Sequence, residues 1–288
     1  MRPFDYHRPT TVAEATQLLG ELGDGAALLA GGTSLMNMAK LGLAEPEQVI
    51  GLGGIAELHG VSGSASDGLR LGAMTTLRDV ETSPVVRAAA PGLAEAAHHV
   101  ATVRIRNQAT VGGNLVHADP NQDVPPMLMV HDAVARITGP DGSRGVAVSD
   151  LFLGFFETVV GPEEVLDSVR VPPVPAGLRT GYLKFLPRTR DDYPTVSVAA
   201  GIAVADGRIA DIRIAVAGGG ATAIRCSAAE AALRGQDADE ATLAAGADVV
   251  PDELDPISDG RGSAGYKRSM ARVCTHRLLQ RLVTEARA

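Results

Sequence analysis

The chain has 288 residues, of which 45% are apolar, so it is long enough for one large or two ordinary domains with a real core. Its formal charge is −8 and its lysines and arginines are scattered, which argues against nucleic acid or an anionic membrane as a partner. No apolar run is long enough to span a bilayer or to serve as a signal peptide. We therefore expect a cytoplasmic protein without membrane insertion.

The first part of the chain carries alternating helix and strand signals. A capping box that begins at Thr11 predicts a helix that stops at Gly23. Residues 26–29 form a short apolar strand that leads into a glycine-rich loop at 30–35. Residues 33–40 have a helical pattern, which places this loop at a helix N-terminus, where free N–H groups and the helix dipole favour phosphate.

A nominal dinucleotide-binding fingerprint accompanies the next predicted strand, at 48–52. Residues 51–56 match the Gly-x-Gly-x-x-Ala form of the Rossmann motif. The motif requires a long helix after its glycines, and the Gly/Ser-rich residues up to Gly68 cannot form one. We interpret 51–56 as a turn. A strand at 69–73 follows, and Thr76 caps a short helix.

The middle of the chain continues with two helices and three strands. The pattern predicts helices at 92–100 and 123–131, the second with prolines in its first turn, where helices tolerate them. Strands at 133–138 and 145–148 flank a Gly-Pro-Asp-Gly turn and predict a hairpin. A strand at 164–171 ends this region.

A proline-rich segment at 172–175 marks a domain boundary. We expect a first domain at 1–175 and a C-terminal domain at 176–288, together of the α+β class. The C-terminal domain is predicted to combine antiparallel strands at 180–186, 195–205 and 208–217 with helices at 227–233, 240–249 and 263–286. The last helix carries an apolar face that we expect in the core, made of Tyr266, Met270, Val273, Cys274, Leu278 and Leu282.

The stretch 104–123 departs most from ordinary core sequence. It is largely apolar, yet a Gly112–Gly113 pair interrupts it, and Thr110 and Asn114 flank the pair with groups that bind phosphate or sugar without net charge. Gly-Gly pairs are common in turns, so this loop or the loop at 30–35 is weak evidence alone. The two together predict a cradle for the diphosphate of a dinucleotide.

Several histidines and aspartates in this region raise the question of a metal site. Adjacent histidines point in different directions on a helix, and no His-x-x-x-His or paired cysteine spacing supports a metal, so we expect none bound by this chain. The residues considered are His98, His99, His117, Asp119 and Asp123.

The sequence offers no catalytic residue. It has neither a serine-hydrolase elbow nor a Walker loop, and no activated nucleophile stands out. A dinucleotide-binding protein without such groups fits a redox cofactor that carries the chemistry itself. The only cysteines, Cys226 and Cys274, are too few for an iron–sulfur cluster, which takes about four thiolates, and we expect both to be buried.

The loop at 30–35 and the segment 105–120 closely resemble the flavin-binding medium subunit of molybdenum hydroxylases. This family includes carbon monoxide dehydrogenase, xanthine dehydrogenase and nicotine or caffeine dehydrogenases. The resemblance extends over essentially the whole chain, including 217–220 and 228–235. It implies FAD as cofactor and a two-lobed α/β FAD-binding domain of the vanillyl-alcohol-oxidase-like type, with lobes at about 1–56 and 57–175.

The resemblance also implies which residues contact FAD. The first loop would place its backbone N–H groups on the diphosphate, and Asp123 would be an acidic contact on the ribose side. Val100 and Leu166 would line the cofactor, Lys184 would lie near it, and Tyr193 would cover one flavin face. The complete set implied to bind the cofactor is Leu28, Leu29, Ala30, Gly31, Gly32, Thr33, Ser34, Leu35, Thr75, Val100, Thr110, Val111, Gly112, Gly113, Asn114, Asp123, Leu166, Lys184 and Tyr193.

Two of these residues have alternative interpretations. Lys184 can equally be a solvated strand lysine, and Tyr193 can be a loop tyrosine that packs on its own domain. Pro194 also departs from the family pattern, in which alanine often follows the aromatic residue, and it stiffens the loop beside the expected flavin.

By resemblance, the molybdopterin and the 2Fe-2S clusters belong to two other polypeptides, a large and a small subunit. The chain would then be part of a heterotrimer or its dimer, accepting electrons from the iron–sulfur subunit into FAD and passing them to an external acceptor. Two alternatives remain open: a standalone FAD-dependent oxidoreductase, and a non-catalytic assembly subunit.

Overall fold

The N-terminal lobe is a small parallel sheet with helices. A computed structural model describes residues 1–189 and 191–287. The sheet order is β1-β3-β2, and apolar residues of α1 pack on it. Thr11 caps α1 by accepting the N–H of Glu14 at 3.1 Å, whereas the Glu14 carboxylate accepts from the N–H of Thr10. The elements are β1 (Asp5–His7), α1 (Val12–Leu22), β2 (Ala26–Leu29), α2 (Leu35–Leu41) and β3 (Gln48–Gly51).

The second lobe is built on a five-stranded antiparallel sheet of order β4-β5-β10-β6-β7. Helices pack against this sheet around the largest apolar cluster among the described residues. Its strands are β4 (Val61–Ser64), β5 (Gly68–Gly72), β6 (Val134–Gly139), β7 (Gly142–Ala147) and β10 (Val165–Val171), with a short β8–β9 pair at Phe152–Gly154 and Glu157–Thr158. Its helices are α3 (Leu77–Thr82), α4 (Pro84–Ala89), α5 (Pro91–His98), α6 (Val103–Arg106), α7 (Val111–His117) and α8 (Val124–Val130).

The C-terminal part is a four-stranded antiparallel sheet of order β11-β12-β13-β14, covered by helices. Successive side chains of a strand point to opposite faces, so alternate residues of β12 pack into two different hydrophobic cores. Val196 and Val198 pack with α11, whereas Ala199 joins the core of the second lobe. The elements are β11 (Arg179–Phe185), β12 (Val196–Ala205), β13 (Arg208–Ala217), β14 (Ile224–Arg225), α9 (Ser227–Leu233), α10 (Glu240–Val249) and α11 (Ala264–Arg287).

The α+β class and most elements with clear periodicity are confirmed. As predicted, no long helix follows Gly51: single 3-10 turns at Leu52–Gly54 and Ala56–Leu58 lead to β4. Cys226 and Cys274 are both buried. The assignment of Tyr266 to the buried face of the last helix is wrong: it is 46% exposed, because it lies in the first turn of α11, beyond the edge of the core. No helix within 1–189 and 191–287 combines the length and apolar character needed to cross a membrane.

Candidate cofactor-binding site

The sequence elements that carried the glycine motifs come together around one cleft of about 450 Å³. The end of β2, the start of α7 and the C-terminal end of β11 meet there. Most residues expected to bind the cofactor line it: Leu28, Ala30, Gly31, Gly32, Thr33, Ser34, Leu35, Val100, Thr110, Gly112, Gly113, Asn114, Asp123, Leu166, Lys184 and Tyr193.

Three expected contact residues lie beside the cleft and not in its lining. Leu29 follows Leu28 on a strand and therefore points to the other side. Thr75 is buried, and its hydroxyl donates to the carbonyl oxygen of Gly60 at 2.8 Å. Val111 is buried in the core of the second lobe, and its N–H donates to the carbonyl oxygen of Thr75 at 2.9 Å.

The first glycine loop (residues 30–35) offers backbone donors to the cleft. Within the described parts of the chain, the N–H groups of Gly31, Gly32, Thr33 and Ser34 have no acceptor. Gly32 has a φ of +72°, a left-handed conformation that suits glycine. Consecutive N–H groups in such a turn bind anions without any basic side chain. This loop therefore fits the diphosphate role expected of it.

The second glycine loop (residues 110–114) is built differently. Its N–H groups already donate within the protein: Gly113 to the Thr110 hydroxyl at 3.1 Å, and Gly112 to the carbonyl oxygen of Ala73 at 2.8 Å. A Cβ on Gly112 would lie 2.6 Å from the Ala73 Cβ. The Gly-Gly pair, which predicted close approach of a ligand, therefore lets α7 pack closely on the protein.

The two loops also contact each other. A Cβ on Gly31 would lie 1.8 Å from the carbonyl oxygen of Gln108, and a Cβ on Gly113 would lie 3.2 Å from the Cβ of Ala30. The loops thus form one continuous wall. The side-chain oxygen Oδ1 of Asn114 is buried in this wall without a hydrogen-bond partner in the described structure. An amide oxygen in such a position is available to a ligand.

A buried ion pair lies at another part of the lining. Lys184 Nζ is 3.0 Å from Asp123 Oδ2 and donates to the carbonyl oxygen of His99 at 2.9 Å. The Tyr182 hydroxyl donates to the other Asp123 oxygen, Oδ1. Burial raises the pKa of Asp123 to about 6, although Lys184 and Tyr182 act in the opposite direction. The Lys184 side chain is 2% exposed, so its interpretation as a solvated lysine is wrong.

Tyr193 lies at the edge of the cleft with 42% of its surface exposed. The Arg261 guanidinium carbon is 5.5 Å from its ring centroid, at cation–π distance. The carbonyl oxygen of Arg261 accepts from the Thr195 hydroxyl at 3.0 Å, so the turn that carries Arg261 is fixed to the start of β12. The tyrosine therefore combines packing on the C-terminal part with a position on the cleft.

Sequence reasoning missed several residues of the lining. Gln122 has a buried amide oxygen, Oε1, without a partner in the described structure, and only its position before Asp123 could have indicated it. His117, considered as a metal ligand, lines the cleft, and burial lowers its pKa. Among the residues described, no three His, Cys, Asp or Glu side chains are grouped to hold a metal. Further missed lining residues are Asn37, Met38, Leu52, Ala73, Met74, Ala101, Ile105, Ala109, Val116, Val165, Asp191 and Asp192.

Comparison with known proteins agrees with this architecture. The family model described as "FAD binding domain in molybdopterin dehydrogenase" matches residues 2–174, and the "CO dehydrogenase flavoprotein C-terminal domain" matches 181–282. The chain is 38% identical to the carbon monoxide dehydrogenase medium chain of Hydrogenophaga pseudoflava, with 93% of each chain covered. It is 32% identical to the nicotine 6-hydroxylase medium subunit of Paenarthrobacter nicotinovorans, with 98% and 97% covered.

Solved structures show the same fold. Carbon monoxide dehydrogenase from Hydrogenophaga pseudoflava superposes with a TM-score of 0.94 at 40% identity, covering 97% of this chain and 98% of that one. Quinoline 2-oxidoreductase from Pseudomonas putida 86 gives 0.93 at 32% identity, covering 99% and 98%. The chain therefore belongs to the family of FAD-binding medium subunits of molybdenum hydroxylases. It is an FAD-containing oxidoreductase subunit.

Proposed function

We propose that FAD binds in the cleft and that the chain carries electrons from an iron–sulfur partner subunit to an external acceptor. The observation that carries the proposal is the run of unused N–H groups from Gly31 to Ser34 in a loop that lines the cleft. A diphosphate carries the negative charge that such donors attract, and no other part of the described lining presents so many backbone donors in sequence.

The rest of the lining is compatible with the remainder of FAD. Val100 and Leu166 provide apolar surface for a planar ring, and Tyr193 provides an aromatic side chain at the edge. Asn114 and Gln122 contribute buried amide oxygens that a hydroxyl or ring N–H can satisfy. Asp123, the proposed ribose-side contact, already accepts from Lys184 and Tyr182, so any further bond uses its remaining lone pairs.

Bound FAD supplies the redox chemistry, since its ring system takes up and releases electrons. The protein's part is to hold and surround it. Asp123, the buried carboxylate of the lining, is engaged by a lysine and a tyrosine. This supports an electron carrier more than an enzyme that activates its own organic substrate.

The partners follow from the class of complex. The relatives are named as medium chains or subunits, which supports partner chains of other sizes. We propose an iron–sulfur small subunit and a molybdopterin large subunit, assembled as a heterotrimer or its dimer. We also propose a division of the chain at residue 175, supported by family matches that end at 174 and resume at 181.

Purification of the native complex through a tag on this chain tests the proposal. We expect molybdenum, iron and FAD to co-purify, and limited reduction of the clusters to bleach the flavin absorbance bands. A complex from which FAD has been removed should retain its metals, stop reducing an external acceptor, and recover when FAD is added.

Two outcomes would contradict it. A chain that carries FAD, has no metal-containing partners and oxidises an organic substrate by itself would be a standalone oxidoreductase. A metal-containing complex whose activity is the same with and without FAD would make the chain an assembly subunit.

A further inference from the structure

A buried charge cluster lies directly behind one wall of the cleft. The Glu81 carboxylate on α3 is 5% exposed and accepts from Arg106 Nε at 2.8 Å. Arg78 and His98 also contact it, at 2.9 and 2.8 Å. Burial raises the pKa of Glu81, but the bonds from His98, Arg78 and Arg106 outweigh it and bring the pKa to about 2. Glu81 is therefore a fixed anion that anchors Arg106.

The other end of the Arg106 guanidinium reaches the cleft wall. Its Nη1 atom donates to the carbonyl oxygens of both Val100 and Ala101, each at 2.9 Å. Both of those residues line the cleft, whereas Arg106 does not. The planar fork of arginine allows one side chain to bond the carboxylate and both carbonyls at once, which a lysine ammonium cannot reproduce.

The segment that Arg106 holds is strained. Ala101 has a φ of +40°, in the left-handed region that costs a residue with a Cβ about 1–2 kcal/mol. Such a conformation persists only where the surroundings impose it. The bonds from Arg106 to the two carbonyl oxygens fix the backbone directly at this residue.

The orientation of the peptide planes then follows. In a trans peptide the N–H points opposite to the C=O of the same plane. Because the Val100 carbonyl points towards Arg106, the N–H of Ala101 points away from Arg106. Ala101 lines the cleft and Arg106 does not. The N–H of Ala101 has no acceptor among the described residues. The same segment is fixed at its other end by Lys184, which donates to the carbonyl oxygen of His99.

We propose that Arg106, anchored by Glu81, is a positioning residue for the cofactor: it holds Ala101 in its left-handed conformation so that the Ala101 N–H donates to an acceptor atom of FAD. The inference rests on the proposed binding of FAD in the cleft. Neither residue touches the cofactor in this arrangement, and both act through the backbone of 100–101.

A pair of substitutions tests the proposal through rescue. In complexes purified through this chain and stripped of FAD, R106K is expected to raise the dissociation constant for FAD about tenfold, the ratio that corresponds to the strain of one left-handed residue. Glycine adopts positive φ at no steric cost. A101G in the R106K background is therefore expected to restore most of the affinity that R106K loses.

The matched control is R78Q, which removes another contact of the same Glu81 carboxylate but none with the cleft wall. It should leave the FAD dissociation constant within about twofold of the original value. A second variant, A101V, leaves the Glu81–Arg106 pair intact. It places a β-branched residue at positive φ, where such a residue is a steric outlier. It should therefore weaken FAD binding although Arg106 is present.

The outcomes distinguish a failure of the positioning role of Arg106 from a failure of FAD binding itself. Unchanged affinity in R106K or in A101V overturns the proposal, and so does a loss in R106K that A101G does not restore, since a general structural defect would not respond to glycine at 101. If the unchanged complex itself takes up no FAD, the proposed function fails, and this inference fails with it.

Discussion

Substitution of Gly31 by alanine is expected to remove most of the affinity for FAD. The new Cβ would lie 1.8 Å from the carbonyl oxygen of Gln108 and 3.1 Å from the Cα of Ala109, both backbone atoms of the neighbouring segment. Backbone cannot rotate away as a side chain does, so the first glycine loop must move and its free N–H groups must leave their positions. Strain of this kind costs about 1–3 kcal/mol, or roughly 5- to 150-fold in the dissociation constant.

Fluorescence titration of the FAD-free complex with FAD measures the effect. The control is G53A, because a Cβ on Gly53 meets nothing within 4 Å and its φ is not positive. That variant should bind FAD as the unchanged chain does. If G31A and G53A bind FAD equally well, the first glycine loop does not hold the diphosphate.

Substitution of Lys184 by methionine is expected to destabilise the folded chain at alkaline pH. It removes the charge partner of Asp123 while keeping the volume of the side chain, and both groups of the pair are buried. Removing one partner of a buried pair leaves an uncompensated charge and costs about 3–5 kcal/mol in the free energy of unfolding.

The loss should depend on pH in a defined direction. Burial already raises the pKa of Asp123 to about 6 in the presence of Lys184, and without the lysine it rises further. An acid whose pKa is higher in the folded than in the unfolded state binds a proton preferentially when folded, so the stability of the variant rises as pH falls through that folded pKa. The deficit at pH 8 should therefore shrink at pH 5.

Urea unfolding at the two pH values measures this. The control is the double variant D123N/K184M, which removes both charges and should show little of the pH dependence. A K184M variant with the same loss at pH 8 and pH 5 would mean that Asp123 is not an unpaired buried carboxylate in that variant.

The position of the first glycine loop at the cleft can be predicted from the sequence because the residues that define the loop are close together in the chain. An apolar strand, two glycines and a hydroxyl-containing helix start lie within ten residues, and the structure brings them to the cleft. The second pair of glycines was harder to interpret. A single sequence does not reveal that Ala73 lies against Gly112, so the function of the pair in packing became visible only in three dimensions.

The sequence also does not predict elements whose hydrophobic pattern is weak or interrupted, because these elements form through contacts with residues distant in the chain. The strand β4 reads Val-Ser-Gly-Ser, without apolar alternation, and it forms because β5 offers it a partner. The helix α7 contains two glycines, which disfavour helix, and it is supported by its Thr110 cap and by close packing. The burial of Lys184 also depends on neighbours distant in sequence, such as His99 and Asp123.

The most direct test of the central claim is the FAD content of the complex purified through this chain, measured after release of the cofactor and compared with the number of chains. The cleft predicts one FAD for each copy of the chain, with G31A carrying much less and G53A carrying the full amount. A purified complex without flavin, which takes up none when FAD is added, would contradict the account.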